Sequence, residues 1–261
     1  MSDDRLLEKM AFSFVRVAPR PSKPRQTGLT IVADRGMGLY RARDIIESAG
    51  EYVDFVKIAI GAFRLQSEDF LKRKIDLFHK ARTAVFFAGD VTEAALMQGV
   101  SEKFYRKVKQ LGADAVEVSN AQVAVSLRDK CELIKLASSC GLKVVAEAGQ
   151  KGREDWTHVQ SYVAAQVKAY QKAGAWKVLV QGEGVSEGVE KMNEALIINL
   201  VAQFDVQDFI FQAKSTQSQQ FYIDTFGNNV NLDVDDHQVI DLELMRRSIR
   251  KRGVFGLVGA L

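Results

Sequence analysis

Three charged side chains sit where charge is costly. Lys57, Glu117 and Glu147 lie inside the apolar runs YVDFVKIA (52–59), ADAVEVSN (113–120) and KVVAEAG (143–149). An ionised group in such a run must be paired or must bind a ligand. Carboxylates and lysines gathered round one cavity suit a hard divalent cation, an anionic substrate and a proton-transfer group. Other polar residues close runs of the same kind. Asp34 and Arg35 end GLTIVAD (28–34), Asp90 ends TAVFFAGD (83–90) with Glu93 following, and Lys151 stands just beyond Glu147. Gln181 and Glu183 follow WKVLVQG (176–182), Gln212 and Lys214 close DFIFQAK (208–214), and Asn229 and Asn231 belong to NVNLDV (229–234). Glu117 and Ser119, two positions apart, share one face of their run. Asp90 and Asn120 also suit helix N-caps.

Other spacings say less. His79, His158 and His237 lack the HExxH arrangement of a zinc site. QGEGVSEG (181–188) could cradle phosphate through backbone N–H groups or be a plain glycine turn. RRSIRKR (246–252) reads as a solvated helix face, with a phosphate grip as the sharper alternative. Cys131 and Cys140 fit no metal or redox spacing and read as inert buried thiols.

The elements that must position these residues recur with a regular rhythm. The eight runs are short, rich in β-branched residues and near-continuously apolar, as buried parallel strands are. Between them, stretches such as 70–81 and 101–113 carry apolar residues at three- and four-residue intervals, the mark of amphipathic helices. Most runs start roughly 30 residues apart, one strand–helix unit. Eight such units in roughly 250 residues predict a (β/α)8 TIM barrel of the α/β class, with a doubly wound open sheet as the rival. No linker interrupts the rhythm, so residues 28–261 read as a single barrel domain. Residues 1–27, with Pro21 and Pro24, read as an N-terminal arm. In a barrel, active sites lie at the C-terminal ends of strands, where the polar residues fall here.

Composition narrows the partners. The 261 residues carry 36 basic and 33 acidic side chains, a net +3 that argues against a nucleic-acid partner. No apolar run reaches the roughly 18 residues of a membrane span, and the N-terminus lacks a secretory pattern. A cytoplasmic protein acting on a small anionic molecule is the expectation.

The ordered set GLTIVADRG, EYVDFVKIAIGA, LGADAVEVSN, EAGQK, AGAWKVLV and QQFYIDTFGNNVNL…VIDLELMRRSIR resembles the phosphosulfolactate synthases, from about Gly28 to Arg250. The resemblance implies a (β/α)8 barrel that adds sulfite to phosphoenolpyruvate with Mg2+, and a homo-oligomer. By position it makes Lys151 the proton donor. Glu117 and Glu147 become catalytic residues and metal ligands. Asp34, Lys57 and Ser119 match further family positions that would bind substrate. The same role would fall to Asp90, Gln181, Glu183, Gln212, Lys214 and Asn231. Four strand ends depart from the family: GWGT has become Ala59-Ile60-Gly61-Ala62 after strand two, GGT has become Ala88-Gly89-Asp90 after strand three, and the ends of strands six and seven differ as well. EGRESG is replaced by Gln181-Gly182-Glu183-Gly184-Val185-Ser186, and FEAP by Phe211-Gln212-Ala213-Lys214. An arginine suited to an anion is thus reversed in sign at Glu183, and Lys214 is the candidate replacement cation. Gly89-Asp90…Glu93 and the stretch from Asn229 to Glu243 are similar to the plant heat-stress-associated 32-kDa branch of the family. A changed substrate, or a non-catalytic protective protein, are the alternatives that these departures raise.

Overall fold

A computed structural model describes residues 7–149, 160–182, 185–186, 188, 190 and 192–249. Eight parallel strands close into one barrel in sequence order. They are β1 (Thr30–Asp34), β2 (Phe55–Ile58), β3 (Ala84–Phe87), β4 (Ala115–Val118), β5 (Lys143–Ala148), β6 (Lys177–Val180), β7 (Phe209–Gln212) and β8 (Leu232–Asp235). The described helices are α1 (Leu39–Ala49), α2 (Glu68–Lys80), α3 (Asp90–Met97), α4 (Ser101–Gln110), α5 (Leu127–Ser139), α6 (Gln160–Lys172), α7 (Glu194–Gln203), α8 (Thr216–Phe226) and α9 (Val239–Arg246). Two of them, α3 and α4, fill the one connection between β3 and β4. The single-domain (β/α)8 expectation holds, and the open-sheet rival falls with the β1–β8 pairing. No described helix is long and apolar enough to cross a membrane.

Local chemistry sets the helix boundaries. Ser67 caps α2 by accepting the amide of Phe70, while Glu68 and Asp69 meet the positive N-terminal end of the helix dipole. Leu71, Ile75 and Phe78 then give the helix its buried stripe. At α8 the Ser215 and Ser218 side chains cap reciprocally, and Gly227, at φ 85°, takes the backbone out of the helix.

Alternation along the strands sorts side chains into two layers. Val32, Val56, Phe87, Val116, Val144, Val178, Phe211 and Val234 face the helices as part of the main core. Ile31, Phe55, Phe86, Ala115, Val145, Leu179 and Ile210, with Leu29, face inward and fill the barrel. Two residues on, the inward positions become Ala33, Lys57, Ala88, Glu117, Glu147, Gln181 and Gln212. The apolar plug below and the polar set above are therefore successive inward layers of the same strands.

The arm runs beneath the strands' N-terminal ends. Arg20 pairs with Glu243 and donates to Gly28 O at 2.6 Å, and Arg25 reaches Asp54 at 3.0 Å. Lys23 donates to Gly50 O, Ala81 O and Thr83 Oγ1 at 2.9, 3.2 and 2.9 Å. Arg246 and Arg247 are buried here too, bound to Asn228 O and Glu243. Both readings of RRSIRKR are thereby corrected for these two residues. They are neither a solvated face nor a phosphate grip, because both are buried and bound to backbone carbonyls and one carboxylate; residues 250–252 lie outside the described residues. Cys131 and Cys140 are half-buried rather than buried.

Candidate active site

The upper inward layer opens into a cavity of about 240 Å³ at the strands' C-terminal ends. Ala33, Ala59 and Ala88 form one wall, low and apolar. Lys57, Glu117, Glu147, Gln181, Gln212 and Lys214 line it as well, with Ser119, Asp90 and Arg35. The polar inward positions at this level fall on β2 and β4–β8, while β1 and β3 offer alanine.

An ionic hub lies under the floor. Asp233, on β8 and fully buried, pairs with Lys57 through Oδ2 and with Lys214 through Oδ1, the latter at 2.5 Å. Burial alone would lower Lys57, but Asp233 and then Glu117 outweigh it and hold the ammonium above its ordinary range. Burial would likewise raise Asp233, but Lys214 and Lys57 outweigh it and hold the carboxylate low. Lys57 Nζ also lies 3.8 Å from Glu117 Oε2, and Lys214 Nζ lies 3.5 Å from Asp235.

Both glutamates are held above the ordinary carboxylate range. Burial raises Glu117, against Lys57. Burial, with the charge of Glu117 adding to it, pushes Glu147 up to about 7. Glu117 Oε1 accepts the Gly89 amide at 3.2 Å, whereas Oε2 is buried without a hydrogen-bond partner. A side chain at position 89 would put its Cβ 2.1 Å from Ser119 Oγ, so glycine is required for this approach.

Polar arms from the helices steady the strand ends from behind. Lys74 on α2 binds Asp34 at 2.7 Å, and Lys130 on α5 donates to Glu147 O and Asn120 Oδ1 at 2.5 and 2.6 Å. Burial lowers Lys130 to about 8, against the pull of Glu147. Gln166 on α6 accepts the Gly149 amide, and Gln219 on α8 donates to Ala213 O. Glu93 on α3 accepts from Ser119 Oγ and from the amides of Ala121, Gln122 and Val123, clasping the loop after β4.

Of the residues singled out in the sequence, the cavity gathers Lys57, Glu117, Glu147, Ser119, Asp90, Gln181, Gln212 and Lys214. Asp34 is corrected. It alternates with Ile31 and Ala33, so it points away from the cavity, and Lys74 and the amides of Gly36 and Met37 take its oxygens. Asn231 is also corrected. It precedes β8 at the opposite end of the barrel, accepting from Leu29 N and donating to Phe209 O, because the strand begins at Leu232. Neither Asp90 nor Asn120 is an N-cap: Gly89 holds that place for α3 and Ser126 for α5. Lys151 and Glu183 lie outside the described residues, as does His158. The sequence reading missed Asp233, although it stands two residues beyond Asn231 on the same inward face.

Comparison with known proteins agrees with the barrel fold. A family model described as (2R)-phospho-3-sulfolactate synthase (ComA) matches residues 18–252. The phosphosulfolactate synthase of Methanothermobacter thermautotrophicus is 30% identical over 248 residues, covering 92% of this chain and 96% of that protein. The Arabidopsis thaliana protein HEAT-STRESS-ASSOCIATED 32 is 25% identical over 262 residues, covering 90% and 91%. In fold, 3-hexulose-6-phosphate synthase from Salmonella typhimurium superposes with a TM-score of 0.57 at 14% identity, over 84% of this chain and 99% of that one.

Proposed function

The chain belongs to the (2R)-phospho-3-sulfolactate synthase (ComA) family, and on that premise we propose that it joins sulfite to phosphoenolpyruvate or a closely similar enol-phosphate. One observation carries the reading. Two inward carboxylates, Glu117 and Glu147, face two lysines, Lys57 and Lys214, in one cavity of about 240 Å³, a size for a small anion.

The donor set fits Mg2+. Among the described residues no three His, Cys, Asp or Glu side chains gather as a metal cage. Magnesium, however, is commonly held by one or two carboxylates, with water and substrate oxygens completing its shell. Glu117, with its buried and unpartnered Oε2, and Glu147 beside it would supply those two. Bound there, the cation would offset negative charge on the substrate's carboxylate.

The chain's own residues do the remainder. Lys57 and Lys214 hold an anionic end of the substrate, and the alanine wall receives its methylene side. Sulfur attacks the methylene carbon, the carbon–carbon double bond moves its electron pair to the neighbouring carbon, and a proton must arrive there. Lys151, two residues after Gly149 at the end of β5, is the donor that its position favours. Incubation with phosphoenolpyruvate, sulfite and Mg2+, followed by mass spectrometry, should show the adduct, and Lys151→Ala should abolish it. Absence of product together with absence of phosphoenolpyruvate binding would overturn the assignment.

Gln181 and Gln212 favour one variation on this reading. Both are neutral amides lining the cavity, and Gln212 Oε1 accepts the Gly182 amide at 2.8 Å. They suit an acceptor that carries hydroxyl or amide groups, which a screen of enol-phosphates and 2-oxo acids would identify.

A further inference from the structure

Two ammonium groups line the cavity, yet both are tied to one carboxylate that does not. Lys57 and Lys214 approach Asp233 from β2 and from the residue pair after β7, each taking a different oxygen. Asp233 is fully buried, with its charge directly under both lysines. An anionic group arriving from the mouth meets the ammonium groups first and the carboxylate behind them. The attraction it feels is that of two positive charges reduced by one negative charge at slightly greater distance.

We propose that Asp233 is a specificity-determining residue, which trims the charge of the Lys57–Lys214 pair and so weakens the pair's hold on a doubly charged phosphate or sulfate more than its hold on a singly charged carboxylate. This deepens the proposed function, on which it rests for the identity of the natural ligand: Asp233 lets the substrate's carboxylate compete with its phosphate for the lysines. The physical reason is the form of Coulomb's law. A site's attraction scales with its net charge multiplied by that of the ligand, so a change of one site charge shifts a dianion twice as far as a monoanion. Asp235, at 3.5 Å from Lys214, and Glu117, at 3.8 Å from Lys57, trim the same field from outside hydrogen-bond range. Asp233 differs in touching both lysines at once, and in being sealed from solvent, where screening is weakest.

The test needs only the full-length protein and two simple anions, pyruvate and inorganic sulfate, titrated by nuclear magnetic resonance in the wild type and two variants. Asp233→Asn keeps the side-chain shape and removes the charge. It should raise the affinity for sulfate relative to pyruvate by at least tenfold. Lys214→Gln removes one positive charge at the partly open edge of the hub, and should lower the same ratio severalfold. If Asp233→Asn does not fold by circular dichroism, the direction of the Lys214→Gln shift decides alone. An unchanged ratio in a folded Asp233→Asn variant, a rise in Lys214→Gln, or no binding of either anion to the wild type would overturn the proposal. Neither titration depends on turnover, so a failed sulfite-addition assay leaves these results readable on their own.

Discussion

The ammonium of Lys57 on β2 reaches past β1 to the carboxylate of Asp233 on β8. It can do so because the inward residue of β1 at that level is Ala33, whose methyl leaves the span open. One small side chain thus permits an ion pair between strands that are not neighbours.

Replacing Ala33 with leucine should therefore break a contact in which Ala33 takes no part. The added carbons would overpack the layer at about 1–3 kcal/mol and force Lys57 off Asp233. Thermal unfolding should show the loss, and anion titration should show weakened binding in the same variant.

Glu117→Gln and Glu147→Gln keep shape and remove charge. Each should fold and each should lower Mg2+ affinity at least tenfold by calorimetry. Treatment of the wild type with a chelator should reduce sulfite-addition activity to the level of the variants, and added Mg2+ should restore only the wild type.

Glu93 satisfies four donors around the loop after β4, so Glu93→Ala leaves three amides and one hydroxyl without their acceptor. A loss on the order of 3 kcal/mol is expected, since bonds to a charged group contribute more than neutral ones. Hydrogen exchange should localise the damage to residues 121–123.

Lys23 gives a pH signature at the other end of the barrel. Burial lowers its pKa to about 8, against Asp54 and Glu51. Between about 8 and its ordinary value of 10.5 the unfolded chain therefore binds the proton that the folded chain has released. Stability contributed by this site must rise with pH through that window. Denaturant curves of wild type and Lys23→Met should diverge there in favour of the wild type.

The barrel was legible in the sequence because eight apolar runs recurred at the spacing of strand–helix units. Lys57, Glu117 and Glu147 were legible because a charge inside such a run is itself a signal. Asp34 misled for a physical reason. In TIVAD every residue is buried, so the strand carries no hydrophobic alternation to reveal which face Asp34 takes. Asp233 was hidden among acidic and turn-forming neighbours in NVNLDVDD, where the strand's start could not be placed within two residues. Lys74 and Lys130 carried no such signal, because each lies on a helix rather than inside an apolar strand run. Only the packing shows that they aim at strand ends, Lys74 at Asp34 and Lys130 at Glu147.

The apolar plug formed by Ile31, Phe55, Phe86, Val145, Leu179 and Ile210 makes the cavity above it a blind alley. For the two-reactant chemistry proposed above, the reactant seated deepest, against Lys57, is expected to load first and its companion to close the way out behind it. Initial-rate kinetics should then show a compulsory order of addition, with inhibition when the second reactant occupies the empty pocket too early.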